Sequence, residues 1–167
     1  MFRKITYLFV IILIIIIGFC VFARYSNEII IMPVKGAERG DYDQNAFGAP
    51  RAGHSHKGVD IFAKKGTPVL SATRGIVVFT GVLSLGGNVV LILSPGLRFY
   101  YYAHLDSIKI NKLKWVSQGD IVGTVGKTGN AKYTPAHLHF SISRLYFPFD
   151  RRFVDPVPLL NQITTKE

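Results

Sequence analysis

The most constraining feature of this chain is an alternating stretch near its end, Ala136-His-Leu-His-Phe-Ser-Ile-Ser143. Apolar residues alternate there with imidazole and hydroxyl side chains, which is the period of a β-strand. On such a strand His137 and His139 project from one face, while Leu138 and Phe140 point to the other. The pattern therefore predicts a strand that buries one side and carries two adjacent imidazoles on the other.

These two histidines belong to a larger group of residues that can hold a metal ion. Four of the five histidines occur in three short motifs, which are His56-Lys-Gly-Val-Asp60, Tyr102-Ala-His104-Leu105 and His137-Leu-His139. Neutral imidazoles together with a carboxylate suit a catalytic Zn²⁺, which takes three protein ligands and keeps one position open for water. The motifs therefore predict a zinc site.

The chain beyond residue 45 is rich in short β signals. Gly75-Ile-Val-Val-Phe-Thr80 and Asn88-Val-Val-Leu-Ile-Leu93 are apolar and β-branched, as strands are. Ser94-Pro-Gly96 is a turn signal between the second run and residues 97–103, which predicts a hairpin. No internal stretch shows a helical period with caps, and the prolines around Pro156 indicate an extended tail. We therefore predict an all-β domain, a sandwich or a barrel.

The three histidine motifs, in this order, resemble those of the lysostaphin/LytM-type zinc endopeptidases. That family's pattern is His-x-x-x-Asp, then a histidine in a Tyr-x-His-Leu context, then His-x-His. The glycine-rich surroundings fit as well, including Gly66-Thr-Pro-Val69, Gly119-Asp-Ile-Val-Gly123 and Gly126-Lys-Thr-Gly129. The resemblance covers roughly residues 47 to 156, which is most of the chain outside its N-terminal segment.

The resemblance implies a fold, an activity and a set of site residues. The family fold is a compact, largely antiparallel β-sheet core with a substrate groove, and its members cut peptide bridges in bacterial peptidoglycan. Carried over to this chain, the zinc ligands are His56, Asp60 and His139. His104 and His137 are then catalytic imidazoles that do not bind the metal. We expect His137 to be the general base and His104 to stabilise the oxyanion or protonate the leaving amine.

One part of the family pattern is absent from this chain. Some members carry a tyrosine a few residues before the first ligand, where it is thought to help stabilise the transition state. The corresponding stretch here, Phe47-Gly-Ala-Pro-Arg-Ala-Gly-His-Ser55, contains no tyrosine. Arg51 is the candidate for this role.

The N-terminal segment carries a second strong signal. Residues 5–23 contain no charged side chain, and Ile11-Ile-Leu-Ile-Ile-Ile-Ile17 is entirely apolar. About 17–20 apolar residues span a bilayer, whereas the apolar core of a signal peptide usually has about 7–15. We therefore expect one N-terminal transmembrane helix that anchors the chain. Val21-Phe-Ala23 resembles a cleavage site, so removal of the segment as a signal peptide stays open.

These signals divide the chain into four expected segments. They are a membrane anchor or signal segment (1–23), a spacer (24–46), a LytM-type metallopeptidase domain (47–158) and a tail (159–167). Since a basic and then apolar N-terminus directs secretion, we expect the catalytic domain outside the cytoplasm, in the periplasm or on the cell-wall side. The single cysteine, Cys20, excludes an intramolecular disulfide.

The formal charge of +10 favours anionic partners. The basic residues are scattered, apart from Lys109-x-x-Lys112-x-Lys114 and Arg151-Arg152, and no nucleic-acid-binding motif accompanies them. We expect the peptide part of peptidoglycan as a partner, the membrane through the N-terminal helix, and no nucleic acid. The sequence leaves the oligomeric state open.

Three functions are consistent with these sequence features. The first is a membrane-tethered zinc endopeptidase that cuts peptidoglycan cross-bridges or stem peptides. The second is a non-enzymatic relative that binds the wall or activates another wall hydrolase, but such relatives typically lack some zinc ligands, and here every position is filled. The third is a biotin- or lipoyl-carrier module, for which Lys127 is a poor match and which leaves four histidines unexplained. None of the motifs specifies which bond is cut.

Overall fold

The computed structural model describes residues 2–25, 29–51, 53–146 and 150–163. Within these ranges helix α1 (Phe2–Tyr25) precedes the strands and helix α2 (Val157–Asn161) follows them. The strands are β1 (Pro50–Arg51), β2 (His54–Ser55), β3 (Val59–Phe62), β4 (Pro68–Leu70), β5 (Gly75–Leu83), β6 (Gly87–Leu93), β7 (Arg98–Leu105), β8 (Ser107–Ile108), β9 (Trp115–Val116), β10 (Ile121–Thr124), β11 (His137–Tyr146) and β12 (Asp150–Val154). Short 3-10 turns occur at Arg39–Asp41 and Gly129–Tyr133.

The main sheet runs in the order β12-β11-β7-β6-β5-β9. Strand β3 also pairs with β11, along the half of β11 that β12 leaves free. A second sheet, β4-β10-β8, has three strands, and β1 and β2 form a small ribbon. Every strand pairing in the described ranges is antiparallel. The expected antiparallel β core is therefore confirmed.

Strand β11 has the alternation that its sequence predicts. Leu138, Phe140 and Ile142 are completely buried on one face. Phe140 lies opposite Tyr102 of β7, and Ile142 lies opposite Tyr100. Burying a large apolar side chain contributes about 1.5–3 kcal/mol, so this face holds the strand in place while its other face remains available for polar residues.

The hairpin between β6 and β7 also follows the sequence prediction. Leu93 lies opposite Phe99, and the amide of Ser94 donates to the carbonyl oxygen of Arg98 at 2.9 Å. The connecting turn contains Ser94-Pro-Gly96, as expected from its composition.

The expectation of an extended tail after β12 is wrong for residues Val157–Asn161, which form α2. Proline has the backbone angle of a helical first turn, and a proline occupies the first turn of this helix. The Asp155 carboxylate accepts a hydrogen bond from the amide of Val157 at 2.9 Å. Leu160 is completely buried, so tertiary packing stabilises a helix that is too short to stand alone.

The segment expected to be a spacer packs on the same core. Ile30, Val34, Tyr42 and Ala46 are buried members of the hydrophobic cluster. The Tyr42 hydroxyl donates to Oδ1 of Asn161 at 2.9 Å, which ties this segment to α2. Residues 29–46 are therefore part of the packed unit.

Residues 5–23, expected to cross a membrane, lie within α1. Among the described parts of the chain, no helix combines the length and the apolarity that crossing a bilayer requires. The predicted transmembrane helix therefore has no support from the structure.

Candidate metal centre and catalytic cleft

The pairing of β3 with β11 brings a carboxylate and an imidazole together. Asp60 lies directly opposite His139 in the ladder, and residues that oppose each other project from the same face. His56 comes from the loop just before β3 and is 5% exposed. Two strands and one loop thus direct three polar side chains to one point.

The three side chains approach each other closely. Nδ1 of His139 is 2.8 Å from Oδ1 of Asp60 and 3.0 Å from Nε2 of His56. Nε2 of His56 is 3.2 Å from the same carboxylate oxygen. Ligand atoms about 2.0–2.2 Å from a tetrahedral Zn²⁺ lie about 3.3 Å apart, so these atoms fit around one such ion.

The electrostatics of this cluster also suit a cation. Burial alone would raise the pKa of the Asp60 carboxyl, but hydrogen bonds to His139 and His56 outweigh burial and hold the pKa well below its usual value. Burial lowers the pKa of His139. Nδ1 of His56 lies 2.9 Å from the carbonyl oxygen of Ala46 and donates to it, which orients the ring with Nε2 toward Asp60 and His139. A carboxylate with a lowered pKa and two imidazoles therefore converge.

Glycine is required between His56 and Asp60. A Cβ atom on Gly58 would overlap the carbonyl oxygen of Phe140 and would approach Cε1 of His139 to 2.9 Å. The loop can lie this close to β11 because residue 58 has no side chain.

His104 reaches the cleft from an irregularity in β7. The register between β6 and β7 shifts between Asn88 and Val90, and His104 has a φ of 62°. A residue other than glycine pays about 1–3 kcal/mol for such a conformation. Bulges commonly redirect a side chain next to an active site, and the His104 ring centroid here lies 5.0 Å from that of His137.

Backbone carbonyls set the proton positions of His104 and His137. Nδ1 of His104 donates to the carbonyl oxygen of Thr128 at 3.0 Å, and Nδ1 of His137 donates to that of Pro135 at 2.8 Å. In the neutral rings Nε2 is therefore the acceptor. Burial and the nearby His137 and His139 lower the pKa of His104 to about 4, so this ring is neutral at pH 7.

Arg51 also lies at this site. Its Nη2 atom is 2.8 Å from Oδ2 of Asp60, the carboxylate oxygen that does not face the two imidazoles. The Arg51 side chain is 48% exposed, so the guanidinium lies at the edge of the cluster and not inside it.

A cleft of about 380 Å³ contains all of these groups. The five residues predicted from the motifs line it together with Arg51, so the structure brings the whole predicted set to one place. Tyr101 lines it as well, with its ring centroid 6.2 Å from that of His139, and burial raises the pKa of its hydroxyl. Tyr101 was not predicted as a site residue. The signal that could have identified it is strand alternation, which turns Tyr101 to the face opposite to that of the buried Tyr100 and Tyr102.

Comparison with known proteins identifies the family of this chain. Residues 54–156 match the model of peptidase family M23. Lysostaphin of Staphylococcus simulans is 35% identical over 111 residues, which are 65% of this chain and 22% of that protein. The murein hydrolase activator NlpD of Escherichia coli is 33% identical over 97 residues, 58% of this chain and 24% of that protein. This chain thus matches a quarter or less of the length of these relatives.

The fold agrees with a solved structure as well. The catalytic domain of lysostaphin from Staphylococcus simulans superimposes with a TM-score of 0.60 at 31% sequence identity. The likeness covers 69% of this chain and 86% of that one.

The metal-free protein should lose stability as the pH falls from about 6.5 to about 4. The unfolded chain protonates His104 near its ordinary pKa of 6.5, whereas the folded chain does so only near 4. The unfolded state therefore binds more protons in this interval, and falling pH favours it. His104→Asn removes the titrating ring and keeps a residue type that tolerates positive φ.

Thermal unfolding with EDTA present, measured from pH 8 to pH 4, provides the check. The Tm of the parent should fall more steeply than that of His104→Asn. The decline that persists in the variant is assigned to His139, whose pKa burial also lowers. Parallel curves for the two proteins would contradict the assignment to His104.

Proposed function

Because this chain belongs to peptidase family M23, we propose that it is a zinc-dependent endopeptidase that hydrolyses peptide bonds in peptidoglycan cross-bridges or stem peptides. One observation carries the proposal. Three atoms suited to binding Zn²⁺ converge, on His56, Asp60 and His139, in a cleft that also contains two further imidazoles. A site that only bound a metal would need the first three residues alone.

His56, Asp60 and His139 are the proposed metal ligands. Zinc would supply Lewis acidity, which brings the pKa of a water to about 7 and polarises a carbonyl. The Ala46 carbonyl fixes the His56 ring, in the way that backbone acceptors often orient metal-binding histidines.

His137 and His104 are the proposed catalytic imidazoles. Nε2 of His137 is 3.9 Å from Oδ1 of Asp60, so it lies beside the metal ligands without being one of them. Its lone pair can accept a proton from the attacking water, and the ring then becomes an imidazolium that can return the proton. His104, on the neighbouring strand, is proposed to stabilise the oxyanion or to protonate the leaving amine.

Arg51 is proposed to assist the transition state in place of the missing tyrosine. Its guanidinium is a permanent cation at the rim of the cleft, and only its contact with Asp60 holds it there among the interactions described for this residue. A developing oxyanion would attract the same group.

A second function is kept because one relative is named a murein hydrolase activator. In that case the cleft would bind wall peptides, or the chain would act through another hydrolase, without hydrolysing a bond itself. This chain has a suitable residue at all three proposed ligand positions and at both proposed catalytic imidazole positions, which favours an enzyme over an activator.

Incubation of the protein with purified peptidoglycan tests the proposed activity. Mass spectrometry of the soluble fragments should show new amino and carboxyl ends at one type of peptide bond. EDTA should stop their release, and added zinc should restore it. Release of no fragments by a protein that contains zinc would contradict the enzymatic proposal and favour the activator.

His139→Ala should abolish both zinc binding and activity, because it removes one of three ligands. Metal analysis should give close to one zinc per chain for the parent and for the matched control His137→Ala. Full zinc retention in His139→Ala would contradict the ligand assignment.

His104→Ala and His137→Ala should retain zinc and lose activity by about 10²–10⁴-fold, the usual contribution of an acid–base or oxyanion group. The measurement is the rate of fragment release at equal zinc content. If either variant lost its metal and regained the parent rate with added zinc, that histidine would be a ligand and not a catalytic group.

The location is also a proposal, and it rests on the sequence alone. We propose that the domain lies outside the cytoplasm and is attached to the membrane through residues 5–23. The full-length protein should then fractionate with membranes after carbonate extraction, with its N-terminal residues present by mass spectrometry. A soluble protein that begins at residue 24 would show instead that the segment is a cleaved signal peptide.

A further inference from the structure

Three arginines lie side by side across the main sheet, away from the metal centre. Arg144 of β11 is directly opposite Arg98 of β7 on one side and Arg152 of β12 on the other. Opposing residues share a face, and neighbouring strands are about 4.7–4.9 Å apart. Like charges in this arrangement destabilise a sheet unless acceptors or anions offset them.

This row is separate from the catalytic cleft. Arg144 follows His139 by five residues on the same strand, which corresponds to about 17 Å. The alternation of β11 also places Arg144 on the face of Phe140 and Ile142, whereas His137 and His139 belong to the opposite face. A ligand at the arginine row would therefore not reach the zinc ligands.

The arginine row borders a cavity of about 280 Å³. Arg98 and Arg144 both line it, and Arg98 is only 4% exposed. Arg98 and Arg152 make further interactions of their own. Nε of Arg144, in contrast, is buried without a hydrogen-bond partner among the described residues. Leaving a buried donor of a charged group unpaired is costly, so Arg144 has hydrogen-bonding capacity that the described residues do not use.

We propose that this cavity binds a phosphate group through Arg144 and Arg98. The forked guanidinium matches phosphate oxygens in paired hydrogen bonds. A phosphate monoester carries about −1.5 to −2 charges, more than the single charge of a carboxylate.

The size and walls of the cavity favour a phosphate ester over the bare ion. At about 30 Å³ for each water, the space corresponds to about nine waters, which exceeds the five heavy atoms of phosphate. Ile29, Val154 and Leu159 provide apolar walls for an attached organic group. Either an anionic lipid headgroup or a soluble phosphate ester has this chemistry.

Titration of the full chain in a neutral detergent, at constant ionic strength, tests the proposal. Binding of inorganic phosphate is measured by calorimetry and by the NMR signal of the Arg144 Nε–H. Phosphate should bind saturably and should shift that signal. Arg144→Gln should weaken binding by at least about ten-fold, the loss expected for a charge-assisted hydrogen bond. Arg74→Gln, which changes an exposed arginine outside the cavity, is the matched control and should bind like the parent.

Two comparisons identify the source of the phosphate. If short-chain phosphatidic acid binds more tightly than glycerol phosphate, and this binding depends on Arg144, the phosphate belongs to a lipid headgroup. If glycerol phosphate binds more tightly, the phosphate belongs to a soluble ester. Absence of saturable binding, or equal binding by Arg144→Gln and the parent, would overturn the proposal.

Discussion

The antiparallel register between β3 and β11 is the constraint on which the candidate site depends. It places Asp60 opposite His139, and it does so because Val59 and Ile61 on β3, like Leu138 on β11, must face the core. A slip of one residue would turn the apolar set outward and the polar set inward. Burial of the hydrophobic face therefore also aligns the proposed metal ligands.

Backbone carbonyl groups orient the histidine rings of the cleft. The carbonyl oxygens of Ala46, Thr128 and Pro135 each accept a hydrogen bond from Nδ1 of a histidine, and so orient the three rings. These carbonyls lie outside the strands, and Ala46, in the segment before β1, is itself a buried member of the core. His104 depends on its surroundings in a similar way, since packing around it must offset the conformational cost of its positive φ.

Local patterns allowed the main strands, and five of the residues that line the cleft, to be predicted from the sequence. The alternation around His137 and His139 and the turn after β6 are signals within a few residues, and both are present in the structure. Helix α2 could not be found in this way, because a helix of five residues depends on burial of Leu160 in the core and on the hydrogen bond from Tyr42, which is far away in the sequence. Neither could the arginine row, since residues 98, 144 and 152 meet only when three strands pair.

X-ray absorption at the zinc edge of the zinc-loaded protein tests the central claim most directly. The first shell should consist of light atoms at about 2.0–2.1 Å, with the outer-shell pattern of two imidazoles, from His56 and His139, and of one carboxylate. The spectrum of the His104→Ala, His137→Ala double variant should keep the same count of imidazoles. A parent spectrum with three or four imidazoles, reduced to two in that variant, would contradict the division between metal ligands and catalytic histidines.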